Sequence, residues 1–189
     1  MNGDLINMKR TGLAVIAVLC LSSCAPEQKS QVLPEKVVGL EPVEEWSNSD
    51  WQMKLPAGWI VEPVFGMRDA SFRVIGAAGS ESEVSISRLP IKGGTLASNV
   101  NRWRVQAGLE PWEEGAVIEQ LTPITISDHQ AYRMEFPADN ETGQTIYGVI
   151  MEEGEQRTFI KFSGPAGMMK QQLEAWNYFV ENLEVRHAH

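Results

Sequence analysis

Cysteine is nearly absent from this chain: its 189 residues hold two, Cys20 and Cys24, and none follows position 24. The remaining sequence therefore has no disulfide framework, no thiolate metal site and no thiol nucleophile. Histidine is almost as scarce. His129 lies beside Asp128 in an expected hairpin turn, and His187 and His189 close the chain, a spacing that assembles no metal site. Basic residues are outnumbered, 16 against 25 acidic ones, for a formal net charge of −9. That balance argues against nucleic acid as a partner, because phosphate backbones need clustered cations. A nucleophile-elbow serine motif and a phosphate-cradling glycine loop are both missing, so no catalytic residue and no cofactor is assigned. Long apolar runs are missing too. The run Leu13 to Leu21 has nine residues, too few to cross a bilayer stably.

What the sequence does contain begins at its N-terminus. Lys9-Arg10, the apolar run and Leu21-Ser22-Ser23-Cys24 follow one another as the charged region, short apolar region and small-residue cut site of a secretory leader. The pattern resembles a bacterial lipoprotein signal. That resemblance implies cleavage just before Cys24, acylation of Cys24 on its sulfur and new amino group, and attachment to a membrane of the cell envelope, since two or more acyl chains anchor lastingly. Ala25 in place of Asp after the cysteine resembles the default sorting signal for the periplasmic face of an outer membrane. An uncleaved anchor helix, or a secretory leader cut near Ala25, are the alternatives. Removing residues 1–23 leaves 166 residues with 14 basic and 24 acidic side chains (16 − 2 and 25 − 1), enough for one domain with a sizeable core plus a tether.

Residues 24–48 read as that tether, with Pro26, Pro34 and Pro42 spaced among Glu, Gln, Lys and Ser, a composition that buries too little surface to offset ordering entropy. A single domain is expected over 49–189. Strands are predicted at 51–55, 70–76, 83–89, 121–126, 131–136, 145–151 and 157–163, bounded by Gly, Pro, Asp and Asn. Leu96, Val100, Trp103 and Ala107 fall at helical spacing behind the candidate N-cap Thr95, with Gly108 and Pro111 as stops. Met169, Leu173, Trp176, Val180 and Leu183 repeat the stripe over a second helix, with Pro165 in its first turn. Thr145, Tyr147, Val149 and Met151 alternate with Ile146 and Ile150, so this strand is apolar on both faces, as a central strand covered on each side would be. Short links favour antiparallel pairing. The fold class predicted is α+β, an antiparallel sheet of about six strands with helices on both faces, an α/β/α sandwich.

Leu55-Pro56-Ala57-Gly58-Trp59 at the start, and Phe159-Ile160-Lys161-Phe162-Ser163-Gly164-Pro165 before the closing helix, resemble the PsbP-like fold of extrinsic photosystem proteins and a nuclear import factor. Met67 to Val74 and Asn99 to Leu109 further resemble a set of uncharacterised bacterial lipoproteins. The resemblance covers roughly residues 50 to 185 and implies a binding scaffold without shared catalytic residues. It brings over no manganese ligands, because no matching ligand motif occurs.

The sharpest candidate site is the helix carrying Asn99, Asn101, Arg102, Trp103 and Arg104. With Trp103 turned inward, Arg102 and Arg104 flank it, and two guanidiniums beside two amides can clamp a carboxylate or phosphate. Their other possible employment is pairing with local Glu and Asp. Arg68 and Arg73 are weaker members, because Arg73 alternates with Phe72 and Val74 and is expected on the sheet's other face. Trp103 and Trp176 belong to apolar stripes, whereas Trp46, Trp51, Trp59 and Trp112 near element ends serve either as lids over the core or as exposed anchors. Gly93-Gly94-Thr95 reads as a turn and an N-cap, and Glu113-Glu114 and Glu152-Glu153 as solvated turns lacking a calcium loop's alternating ligands. The function expected is a membrane-anchored, non-enzymatic binding or assembly module for an envelope protein complex, met through the Thr95 to Gly108 helix. The alternative is a binding protein for an anionic metabolite or glycan, or an undetected hydrolase, with Arg102, Arg73 and Trp103 around a pocket.

Overall fold

The computed structural model describes residues 42–140 and 143–186. The leader, Cys24, most of the tether, His187 and His189 lie outside the described residues. Seven antiparallel strands form the main sheet in the order β3-β4-β5-β9-β8-β7-β6. They are β3 (Trp59–Val61), β4 (Arg68–Ile75), β5 (Glu81–Pro90), β6 (Thr122–Ile126), β7 (His129–Phe136), β8 (Gln144–Glu153) and β9 (Gln156–Pro165). A separate three-stranded sheet, ordered β1-β2-β10, is built from β1 (Pro42–Ser47), β2 (Trp51–Pro56) and β10 (Glu184–Val185). The helices are α1 (Leu96–Gln106), α2 (Ala166–Gln171) and α3 (Leu173–Glu181). The α+β class with antiparallel pairing holds. The main sheet gains a strand over the expected six, and residues 42–47 pair with β2 where composition put the end of the tether.

β8 explains the layering. Its Tyr147, Val149 and Met151 join Trp176, Phe179, Val180 and Leu183 in one core, to which β2 adds Trp51, Met53 and Leu55. Ile146 and Ile150 point the other way and join Val100, Trp103 and Ala107 of α1 in a second core. Helices therefore cover both faces, as the two-sided apolar pattern predicts. The second helix is not continuous: Gln172, at φ −95 and ψ 4, separates α2 from α3. The stripe from Met169 to Leu183 still packs inward across this break.

Local signals fix the ends of α1. The Thr95 hydroxyl accepts a hydrogen bond from Ser98 N at 3.0 Å, satisfying one of the free amides of the first turn. At the other end Gly108 takes φ +80, a left-handed conformation that a Cβ would strain. All four ambiguous tryptophans pack as lids. Trp51 and Trp59 are buried in the larger core, Trp46 packs on it, and Trp112 packs on the α1 side.

Candidate functional site

α1 covers only part of its face of the sheet. The residues of that face line up in cross-strand rows: Arg68, Ser87, Phe159 and Ile150; then Ser71, Ser85, Lys161 and Gly148; then Arg73, Glu83, Ser163 and Ile146. Each row runs from polar on β4 and β5 to apolar or small on β8. α1 lies over the apolar end, where Trp103 is packed against Gly148 so tightly that a Cβ there would overlap its ring. Among the described residues, no helix lies above the polar end. Along the same strands Ala70, Phe72, Val74, Val84, Ile86, Ile160 and Phe162 alternate onto the opposite face and fill the larger core.

One backbone irregularity aims Arg68. A β-bulge between Arg68 and Ala70 sets Arg68 opposite Ser87 and Ala70 opposite Ile86. Two residues apart in a regular strand, Arg68 and Ala70 would share a face; the extra residue, Asp69, turns Arg68 to the face that α1 borders. Asp69 itself accepts from Trp51 Nε1 at 3.2 Å and pairs with Arg88 at 3.3 Å, which holds the bulge to β2 and β5.

Between α1 and the polar end lies a cleft of about 230 Å³ walled by Arg68, Ser85, Asn99, Arg102, Trp103 and Lys161, with Ser87, Leu89 and Phe159 completing it. Arg102 is exposed and, among the described residues, takes part in no hydrogen bond or ion pair. The Arg68 guanidinium holds the Glu83 carboxylate through both Nη atoms, Nη2 to Oε2 at 3.0 Å, and donates to Ser71 Oγ at 3.0 Å. Lys161 Nζ donates weakly to Gln106 Oε1 at 3.3 Å. Burial lowers the Lys161 pKa; nearby Glu83 raises it and Arg68 lowers it further. Asn99 is buried, with Nδ2 donating to Thr95 O at 2.8 Å. Three cations and one paired carboxylate thus leave the cleft with a formal charge of about +2, in a chain that is negative overall. Such a site can hold an anion against guanidinium, ammonium and hydroxyl donors.

A second depression of about 540 Å³ adjoins it, and Arg68 lines both. Arg73 stands there, donating to Glu62 at 2.6 Å and Glu81 at 3.2 Å. The floor includes Ser71, buried and accepting from Arg68, and Ser163, with Gln144 also lining it.

The structure therefore brings Asn99, Arg102 and Trp103 to one cleft together with Arg68, and sends Asn101, Arg104 and Arg73 elsewhere. Asn101 clamps the loop after α1, donating to Trp112 O and accepting from Trp112 N, both at 2.8 Å. Arg104 Nε donates to Glu110 O at 2.8 Å, and its guanidinium lies 3.8 Å from the centre of the Trp112 ring; burial lowers its pKa. Arg73, expected on the sheet's other face, instead shares the α1 face with Glu83, Ser163 and Ile146, yet sits in the neighbouring depression rather than beside Arg102. Sequence reasoning missed Lys161, Ser85 and Ser87, whose signal was present: each alternates with a core residue of its strand and so had to face the α1 side.

No family model matches the chain, and no curated protein matches it. It is similar to several solved structures. A Bacteroides thetaiotaomicron protein is 16% identical, with a TM-score of 0.40 over 72% of this chain and 45% of that one, so the chain spans under half of its length. Cyanobacterial PsbP from Synechocystis is 16% identical, with a TM-score of 0.47 over 79% and 95% of the two chains. LpqN, involved in cell envelope biogenesis of Mycobacterium tuberculosis, is 11% identical, with a TM-score of 0.47 over 78% and 90%.

Proposed function

We propose that the chain is a binding module of the cell envelope, anchored through lipid on Cys24, that holds an anionic group in the cleft between α1 and the polar end of the sheet. One observation carries the reading: Arg68, Arg102 and Lys161 converge on a single cleft beside buried Asn99. Gathering like charges costs free energy, and among the described residues Arg68 alone of the three forms an ion pair with a carboxylate; a bound anion removes more of that cost. The reading is one of binding, and no reaction is assigned to the cleft.

The test uses the full chain in detergent with citrate and inorganic phosphate at constant ionic strength. At ten times Kd, ligand should stabilise the fold by about 1.4 kcal/mol, a Tm rise of about 3–6 °C for a chain of this size. R102A and K161M should abolish the rise. R104A, whose guanidinium is already bound to Glu110 and Trp112, should keep it. A rise that survives R102A, or no rise at all, rejects the cleft. Mass spectrometry of the native protein and of C24S tests the anchor separately: acylation lost in C24S supports it, and an unmodified native Cys24 rejects it.

A second reading, an assembly module that docks on an envelope protein, has one observation in its favour. The loop between β3 and β4 presents Phe65 at 78% and Met67 at 68% exposure, large apolar side chains that a tight turn at Gly66, φ +66, holds outward. Crosslinking in intact cells from the native chain and from an F65S/M67S variant decides it. A discrete protein lost only in the variant supports this reading; unchanged neighbours reject it.

A further inference from the structure

We infer that the ligand is an acidic oligosaccharide that lies across both depressions, its carboxylate in the cleft and its hydroxyl-bearing rings over the serine floor beyond Arg68. The inference rests on the anion-binding reading and names the ligand's class. The two depressions meet at Arg68, so the open part of the sheet is one trough with a basic end and a mixed end. Measured along β5 from Ser87 to Glu83, it extends about 13 Å at the usual strand rise, which exceeds a single small acid.

The two ends ask for different chemistry. At the α1 end Arg102 and Lys161 offer donors to an anion, and Leu89 and Phe159 offer an apolar wall to a ring. At the far end Glu62, Glu81, Ser163 and Gln144 offer mainly acceptors or two-way groups, which suit hydroxyls, since a hydroxyl both donates and accepts. An acidic peptide fits less well. Successive carboxylates would meet Glu62 and Glu81, and the trough lies on the sheet's face, where strands are already paired and no free backbone edge is available for strand addition. Nucleic acid, with a charge on every unit, meets the same carboxylates.

The experiment is calorimetry on the full chain in detergent with galacturonate monomer, a trimer of two neutral sugars ending in one galacturonate, neutral maltotriose and pentaglutamate. The trimer should bind about tenfold or more tighter than the monomer, the gain expected from two or so added hydrogen bonds. Maltotriose should bind weakly or not at all. A Q144A/S163A variant, with its Tm checked against the native chain, should lower trimer affinity and leave the monomer unchanged. Equal affinity for monomer and trimer, both lost in R102A, overturns the trough and leaves the anion cleft standing. Equal binding of maltotriose, or tighter binding of pentaglutamate than of the trimer, overturns the acidic-sugar assignment. Failure of citrate, phosphate and every sugar acid to bind overturns both readings.

Discussion

Gly148 is the point where a single methyl group should test how α1 is seated and therefore how the cleft is shaped. A Cβ built there overlaps Cζ3 of Trp103, lies 2.8 Å from its Cε3 and 3.3 Å from Met134 Cγ. Ordinary carbon contacts begin near 3.5 Å, so the ring must retreat by roughly 1 Å. It has little room, because Trp103 is wedged against Phe159 edge to face at 6.0 Å and α1 is pinned by the paired Asn101–Trp112 hydrogen bonds. Overpacking of this kind costs about 1–3 kcal/mol. Alanine returns up to about 1 kcal/mol by restricting the unfolded chain, so G148A should lose about 1–2 kcal/mol and lower Tm by about 2–8 °C. Urea unfolding with an unchanged m-value measures it. Pairing G148A with W103L, which deletes the obstructing ring atoms, should give a double variant at least about 1 kcal/mol more stable than the sum of the two losses. Because Asn99 and Arg102 ride on the same helix, G148A should also weaken citrate binding. An unchanged or raised Tm, or strict additivity with W103L, would refute the close approach on which the α1 placement rests.

Arg157 is buried and bridges Glu152 at 2.6 Å to the carbonyl of Gly94 at 2.6 Å, so R157A should cost about 2–4 kcal/mol and, by releasing the loop before α1, weaken citrate binding; a Tm within 1 °C of native in a melting experiment would contradict it. Trp51 and Trp176 are both fully buried, yet Trp51 Nε1 donates to Asp69 at 3.2 Å whereas Trp176 Nε1 has no partner among the described residues. W51F should therefore destabilise more than W176F, by about 1 kcal/mol, and the reverse order in urea would sink the contrast. Lys161 has a pKa lowered by burial from the ordinary value of 10.5. Between the two values the unfolded chain binds more protons, so stability should rise with pH across that alkaline window. K161M should flatten the rise in a pH series of Tm values. In the same window citrate affinity should fall, because the anion favours the charged ammonium.

The parts of the fold that were legible are those where one local pattern decides. The stripe from Met169 to Val180 had to be a helix face whatever lay opposite, and β8, apolar on both sides, had to be central. Thr95 capped and Gly108 stopped α1 for reasons contained in a few residues. β1 was not legible, because Glu44 and Glu45 remain exposed and the strand exists by pairing with β2 rather than by its own burial. β3, at three residues, is too short for any alternation to register. The site was half legible for the same reason. Asn99, Arg102 and Trp103 were found as neighbours on one helix, but Arg68 was aimed by a bulge that no local pattern announces, and Lys161 reaches Arg102 only because β9 pairs with β5, some 70 positions earlier. Arg104 and Asn101 carried the same helix signal as Arg102; a loop at 109–112 whose path is set by tertiary contacts took them away.

The charge distribution also bears on which anions the proposed cleft would select. Glu62 and Glu81 engage Arg73, and Glu83 engages Arg68, so the available positive charge sits on Arg102 and Lys161 within a negative surround. At physiological salt, fields beyond about 8 Å are screened; an approaching anion therefore gains attraction only once it is inside the cleft. A densely charged polyanion meets repulsion from the flanking carboxylates and cannot place more than one or two charges favourably. A sparsely charged ligand meets little of that repulsion and can use its neutral polar groups on the far end of the trough. The arrangement thus trades encounter rate for discrimination, since steering by net charge is what speeds association. Binding of a sugar acid should then be slow to form and weakly dependent on salt, whereas a cleft that worked by bulk electrostatics would lose affinity steeply as salt is raised. A salt titration of affinity for the trimer that carries a single galacturonate, from 50 to 300 mM, separates the two, and a steep loss would mean that the flanking carboxylates do not shape selectivity.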